Sequence, residues 1–398
     1  MGSAVATDGD AGPSGVRWRS AAAAIAAISV VGIAIGLGMP LLSIILESRG
    51  YSASLIGLNS AVGGVVSIAA APVAVPLAAR LGVVRTMLAM IAAAGVAFLG
   101  FYLIESFALW FVLRAVLHMA LTLLFILSEF WITSSAPPQR RGLLLGVYTT
   151  CLSLGFALGP LLLARLGSEG FAPFGLACAL VALAAVPVVV ARRESPALTR
   201  SGEPRGGSFL RYVFLVPTAT AAVLIYGAVE TGGFALFPVY GTRIGHSEAD
   251  TVLLLSAIGL GNVLLQIPIG MISDRVGDRR LLLLACALVG LGGMLLLPAI
   301  QASWWAAAGL LFVWGGVVAG LYTVGFAHLG ARLSGADLAM ANAAFVFCYG
   351  IGMLAGPQAI GVGMDALGPD GFAWTLALFF GLYVALLAVR LAGAPRRA

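Results

Sequence analysis

The chain contains no lysine and little charge of any kind. Its 398 residues hold 22 basic side chains, all arginine, and 16 acidic ones, so charged residues make up 10% of the whole. Histidine occurs three times. This scarcity excludes a water-soluble globular domain, which needs polar cover for its core. Apolar residues reach 61% and the mean hydropathy is +1.06, against roughly 45–50% apolar usage in soluble domains. The missing lysine, beside abundant alanine and glycine, fits a GC-rich bacterial genome.

Cysteine is also scarce. Cys151, Cys178, Cys286 and Cys348 stand singly inside apolar runs, which excludes a disulfide framework or a cysteine metal centre. They read as small packing residues. There is no Walker loop, no HExxH and no GxSxG nucleophile turn, so neither ATP hydrolysis, metalloprotease chemistry nor acyl transfer has its machinery. No polar domain is left to house cytoplasmic catalysis. A non-enzymatic chain without cofactor or metal is expected. A pI near 9.5 could suggest nucleic acid, but the arginines fall between apolar runs, where membrane topology explains them better.

What the chain has is long apolar runs. A bilayer is crossed by helices of about 20 apolar residues, because every backbone N–H and C=O must be paired where water is absent. A membrane barrel would alternate in polarity over about ten residues; these runs are continuous. Charges and turn residues place spans near 20–46, 53–79, 84–104, 107–133, 142–165, 171–191, 213–240, 250–272, 280–300, 303–330, 338–363 and 371–391. Residues 1–16 are small and polar and read as a disordered arm. The first run is too long for a signal-peptide core. The arginine-rich stretch 192–212 reads as a linker between a bundle at 17–191 and a second at 213–392, with a tail at 393–398. With the N-terminus inside, eighteen arginines fall on the inner side and three, Arg49, Arg165 and Arg243, on the outer. That bias follows the positive-inside rule and puts both termini in the cytoplasm.

One short stretch breaks the apolar pattern. GMISDRVGDRR (270–280) carries Asp274, Arg275, Asp278, Arg279 and Arg280. PLAARLGVVR (76–85) echoes it: Arg80, Gly82 and Arg85 align with Arg275, Gly277 and Arg280 at an offset of 195. GFALGP (155–160) and GMLAGP (352–357) repeat at 197, and Pro40 and Pro238 at 198. Landmarks at nearly one offset mark a duplicated six-helix unit. Such repeats commonly hold substrate at the interface of the halves, near the midplane.

In these features the chain resembles the major facilitator superfamily of secondary transporters. Gly270, Asp274, Arg275, Gly277, Arg279 and Arg280 match that family's signature between spans 8 and 9. The turn after span 2 keeps Arg80 and Arg85 but has Ala79 for the acidic residue and Val75 for the first glycine. Arg114 resembles the family's basic residue in span 4. Gly155, Gly159 and Pro160 resemble the span 5 signature of its exporters, with Gly352, Gly356 and Pro357 as their counterparts in span 11. The resemblance implies an all-α membrane fold of twelve helices in two pseudo-symmetric six-helix bundles. It also implies a small-molecule substrate, a proton as coupling ion and a monomer in the lipid bilayer. In that fold spans 1, 4, 7 and 10 line a central cavity. The GMISDRVGDRR turn is then expected to act as an inner gate, Asp274 accepting hydrogen bonds from an arginine or a neighbouring helix end, its glycines easing the turn; simple topogenic charge is the other reading.

Ionisable groups inside spans are functional candidates, since each costs about 2.5–3.5 kcal/mol on insertion scales. Glu230 in YGAVETGG is the cleanest, as a substrate partner or proton carrier. Span 4 carries Arg114, His118 and Glu129 on one side of the helix, but Arg114 and Glu129 are about 22 Å apart along it. Glu129 reads either as a second carrier or as an interfacial residue. His328 is a protonation switch or an interfacial histidine. His246 falls in an outer loop and is expected to be solvated. Asn59, Asn262 and Gln266 tie helices together or touch substrate. Phe125, Trp131, Tyr226, Phe234, Trp314 and Tyr322 wall a cavity or simply pack. A proton-driven exporter of an amphipathic or apolar compound is the leading expectation, a proton-coupled importer of a sugar or organic acid the alternative. A non-transporting membrane sensor or enzyme is the distant third, since the chain has neither a signalling tail nor a convergent reactive set.

Overall fold

The computed structural model describes residues 18–135, 141–196, 210–331, 333 and 335–392. The N-terminal arm, the C-terminal tail and most of the 192–212 linker lie outside these. Every regular element among the described residues is helical, and twelve helices are long and apolar enough to cross a membrane. Spans 1 to 6 are Trp18–Ser48, Ala53–Leu81, Val83–Leu103, Phe107–Ser134, Arg141–Leu166 and Ala172–Val190. Spans 7 to 12 are Pro217–Arg243, Glu248–Arg275, Arg279–Ile300, Trp304–Gly330, Gly335–Leu367 and Gly371–Ala392. Spans 1, 7 and 11 finish together at one end of the molecule, where Arg243 meets Glu47 and Asp365, called the Arg243 end, and span 8, which starts there, finishes at the other, the Asp274 end.

Three helices depart from the uninterrupted runs expected. Span 7 starts at Pro217 rather than near 213; a short helix, Leu210–Leu215, precedes it, and the chain breaks at Val216 (φ −124°, ψ 54°). Proline disfavours the helical region for the residue before it. Span 6 breaks at Ala184, where the ring of Pro187 crowds the carbonyl of Leu183. Span 10 breaks at Ala319, beside Gly315, Gly316 and Gly320, whose helix propensity is low.

The duplication extends to helix caps. Ser52 and Ser247, 195 positions apart, open spans 2 and 8, each hydroxyl accepting a backbone N–H, from Leu55 at 3.3 Å and Asp250 at 3.1 Å. Such caps satisfy donors the helix leaves orphaned. Packing repeats too. A Cβ on Gly155 would lie 2.8 Å from the Ser29 carbonyl of span 1, and one on Gly159 would strike Gly36. A Cβ on Gly352 or Gly356 would run into the backbone of Leu224 or Ala228 in span 7. Spans 1 and 5, and spans 7 and 11, thus meet backbone to backbone. Close approach through small residues is what drives helix association where the solvent is itself apolar. Pro160 and Pro357 lie within spans 5 and 11.

Gly270 and Gly277 behave otherwise than expected for the turn at the Asp274 end. A Cβ on either would meet nothing within 4 Å, and Gly277 is not among the positive-φ residues. Gly82 in the first-half turn has φ +88°, a region L side chains rarely adopt. Of the two turns, the degraded one is where glycine is required.

Spans 1–6 and 7–12 touch through close contacts toward the Arg243 end. Span 2 lies on span 11 through Gly57 against Pro357, Gly64 against Leu354 and Gly361 against Ala53. Span 5 lies on span 8 where Gly259 meets Ala157. Polar ties gather at the same end. Arg243 Nε donates to Glu47 Oε1 at 2.8 Å, and a terminal nitrogen of Arg243 lies 3.7 Å from Asp365. Asp365 accepts the N–H groups of Ala53 and Ser54 at 3.0 and 2.9 Å, at the N-terminus of span 2. Ser168 donates to Glu248 at 2.9 Å.

Candidate functional site

Span 7 carries Glu230 about halfway along its length, and both carboxylate oxygens are filled. Oε1 accepts from the Tyr226 hydroxyl, one helical turn away, at 2.8 Å; Oε2 accepts from Tyr349 of span 11 at 2.5 Å. The close approach of Gly227 to the Tyr349 carbonyl brings these two helices together here. The network continues into spans 8 and 10. Asn262 lies beside the Tyr226 side chain, Gln266 Nε2 donates to Asn262 Oδ1 at 3.0 Å, and the Thr323 hydroxyl donates to Gln266 Oε1 at 2.6 Å. Thus Glu230, Asn262 and Gln266, separate in the sequence, gather into one polar group around Tyr226.

Aromatic rings surround this carboxylate. Tyr226 lies 5.8 Å from Tyr322 and 6.4 Å from Tyr349, and Tyr322 lies 6.1 Å from Tyr349, centroid to centroid. Tyr322 is 40% exposed, so the triad opens to one side. Tyr322 lies within electrostatic reach of both Glu230 and the exposed Glu129 of span 4. Neither carboxylate has an arginine or histidine at ion-pair distance among the described residues. One turn beyond Glu230 toward the Arg243 end, Phe234 meets Phe156 of span 5 edge to face at 5.9 Å.

Arg114 and His118 take no part in this group. Arg114 is fully buried; its Nε donates to Asn59 Oδ1 at 3.0 Å, and a terminal nitrogen contacts Met39 Sδ at 3.4 Å. Its other terminal nitrogen and Asn59 Nδ2 make no hydrogen bond. The partner of the Arg114 guanidinium is thus an amide. His118 packs its ring against Gly63 and bonds the Arg114 carbonyl at 3.1 Å. His328 is buried and within electrostatic reach of Asp278, so it belongs to the Asp274 end. His246 is not solvated as expected: it is half-buried and bonds the Gln301 carbonyl at 2.8 Å. Trp131 and Trp314 are buried packing residues, and the Trp314 indole donates to the Gly290 carbonyl.

At the Asp274 end the charged turn folds on itself. Asp278 caps span 9 through the Arg280 N–H and grips the Arg280 guanidinium at 2.6–3.0 Å. The hydrogen bonds from Arg280 hold the Asp278 carboxyl below the usual carboxylate range. The side chain of Asp274 is 80% exposed, and its ion-pair contact is Arg279 of the same turn at 3.9 Å. Arg80, Arg85 and Arg275 are exposed. Tyr349, Thr323, Glu47, Arg243 and Asp365 were not among the expected site residues.

Comparison with known proteins accords with this layout. A family model described as Major Facilitator Superfamily matches residues 22–261 and 244–398. The chain belongs to the Major Facilitator Superfamily. It is 26% identical to the uncharacterized MFS-type transporter YfkF of Bacillus subtilis strain 168, over 84% of this chain and 86% of the relative. It is 26% identical to the uncharacterized MFS-type transporter YcaD of Escherichia coli K12 (strain DH10B), over 70% and 72% of the two chains. Among solved structures it is similar to a mutant of the nucleoside transporter NupG, at a TM-score of 0.74 and 12% identity over 94% and 99% of the chains. A bacterial homologue of the human lysosomal transporter Spinster, inward-facing and unoccupied, gives 0.68 and 13% over 94% and 96%. These structural likenesses share the fold. As a superfamily member the protein is a multi-pass membrane transporter, not an enzyme.

Proposed function

We propose that this transporter exports small amphipathic or apolar compounds by proton-coupled alternating access. On this reading it is a monomer in the bacterial inner membrane with both termini in the cytoplasm. The observation that carries the proposal is Glu230: a carboxylate near mid-membrane, held by two tyrosines from different helices, with no arginine or histidine at ion-pair distance among the described residues. Ionised, Glu230 accepts from both phenols. Protonated, it must donate through one oxygen, and a tyrosine must turn its hydroxyl away. A proton therefore changes the bonding between spans 7 and 11, the pair whose backbones touch. Residues facing the carboxylate are Tyr226 on its own helix, Tyr349 on span 11, Tyr322 on span 10, and Asn262 and Gln266 on span 8, with Glu129 of span 4 within electrostatic reach of Tyr322.

The Arg243 end is the outer one in this reading, because the arginine bias puts the Asp274 end inside. The Arg243–Glu47–Asp365 ties and the Phe156–Phe234 contact then close the outer side, and substrate enters from the cytoplasm. The Asp274 turn, exposed in this state, is the element that would engage when the inner side closes. The span 5 glycine–proline pattern favours export. Cells overexpressing the wild type are expected to accumulate less of some compound from a broad panel. A protonophore and Glu230→Gln should each abolish the difference. Gradient-dependent accumulation above control cells would make the protein an importer instead.

A further inference from the structure

We propose that the Glu230 site recognises an organic cation, its positive charge seated among Tyr226, Tyr322 and Tyr349 with Glu230 as counter-ion. This deepens the export reading and rests on its placement of the substrate site. Three tyrosine rings lie within 6.4 Å of one another, around a carboxylate with no cationic partner among the described residues. Ring faces attract a desolvated cation, and aromatic enclosures of this kind suit quaternary ammonium groups. Tyr226 and Tyr349 spend their hydroxyls on Glu230, which fixes both rings. Tyr322 is 40% exposed and offers its ring to whatever enters.

The local charge agrees. Glu129 of span 4 is within electrostatic reach of Tyr322 and adds negative charge near the rings. The basic groups of span 4 are turned away: Arg114 is fully buried against Asn59 and Met39, and His118 lies against Gly63. A carboxylate substrate would meet two carboxylates that have no ion-paired cation among the described residues. A neutral compound would leave the charge of Glu230 unanswered in a poorly solvated place, where unpaired charge is costly. A proton and a cation satisfy Glu230 equally but not together, which is the condition for exchanging one for the other.

The test is equilibrium binding of tetraphenylphosphonium to the purified full chain in zwitterionic nanodiscs, with empty discs as blank and tetraphenylborate as the anion of the same shape. Saturable tetraphenylphosphonium binding is expected, at least tenfold weaker in Glu230→Gln and several-fold weaker in Tyr322→Leu. Tetraphenylborate should show none. Tyr322→Phe keeps the ring and should bind several-fold more tightly than Tyr322→Leu. If Glu230→Gln does not fold, the Tyr322 pair still decides. Equal binding of the anion, absence of saturable cation binding, or binding indifferent to Tyr322→Leu would overturn the proposal. The two readings fail separately. Proton-driven efflux of a neutral or anionic compound through Glu230, without cation binding, would remove the cation and keep the exporter. Cation binding that depends on Glu230 without proton-driven flux would do the reverse.

Discussion

Arg243 of span 7 grips Glu47 of span 1 through two parallel hydrogen bonds, Nε to Oε1 at 2.8 Å and a terminal nitrogen to Oε2 at 3.1 Å. The pair joins the first six spans to the last six. Its side chains are 26% and 23% exposed, so its worth lies near the surface range of about 0.2–1 kcal/mol. That is enough to bias a conformational equilibrium without freezing it. Arg243→Ala is predicted to shift the population away from this closed end by up to about fivefold. The amides of Ala53 and Ser54, which donate to Asp365 beside the pair, should exchange hydrogen faster in the variant. Unchanged exchange would mean that the two glycine-packed seams hold this end alone.

The backbone contacts of spans 7 and 11 predict a contrast between glycines. A Cβ on Gly356 would collide with the backbone of Ala228, whereas one on Gly292 would meet nothing within 4 Å. Backbone cannot swing aside as a side chain can. Gly356→Ala should destabilise by about 1–3 kcal/mol, the usual cost of overpacking. Gly292→Ala should be neutral or stabilise by about 0.5–1 kcal/mol, the helix penalty of glycine. Thermal unfolding in detergent compares the two directly.

The amide partner of Arg114 predicts another difference in sign. Asn59→Leu removes the acceptor of a fully buried guanidinium and should destabilise by about 1.5–3 kcal/mol, the range for hydrogen bonds to charged groups. Asn59→Asp supplies a carboxylate at the same place and should fold at least as stably as the wild type. Melting curves that rank Asn59→Asp below Asn59→Leu would contradict the pairing.

Asp278 predicts a pH dependence. Its carboxyl is held below the usual range, chiefly by the Arg280 side chain. A carboxyl whose folded-state pKa is depressed adds stability above its unfolded value of about 3.9 and loses it as pH falls through the folded value. Asparagine also caps helices well, so Asp278→Asn isolates the charge. The melting temperature of wild type minus Asp278→Asn should be positive and flat from about pH 5 to 8, and shrink below about pH 4. A gap that opens only on acidification would reverse the sign and refute the assignment.

Glu230 stood out in the sequence because an ionisable group between apolar turns is costly and therefore rare. Asn262 and Gln266 stood out for the same reason. Their joining was not legible, because spans 7, 8, 10 and 11 meet only in the folded bundle. Tyr349 gave no signal at all: in FVFCYGIG it is one aromatic among several. The Arg243–Glu47–Asp365 group was missed because charges at span ends are expected on topological grounds. Arg243 was one of only three arginines on the expected outer side, and that rarity was the available hint. The GxxxGP repeats did mark helix contacts, since only small residues let backbones meet. The turn glycines did not obey the same logic: Gly82 carries the strained backbone, not Gly277.

The central claim is that a proton and an organic cation compete for Glu230. It is tested most directly by proton release from purified, weakly buffered transporter on addition of saturating tetraphenylphosphonium. The wild type should release protons as the cation binds, within a pH window where Glu230 begins protonated. Glu230→Gln, for whatever cation it still binds, should release none. No release from the wild type anywhere between about pH 5 and 8, where most stably folded proteins can be examined, or equal release per bound cation from Glu230→Gln, would contradict the account.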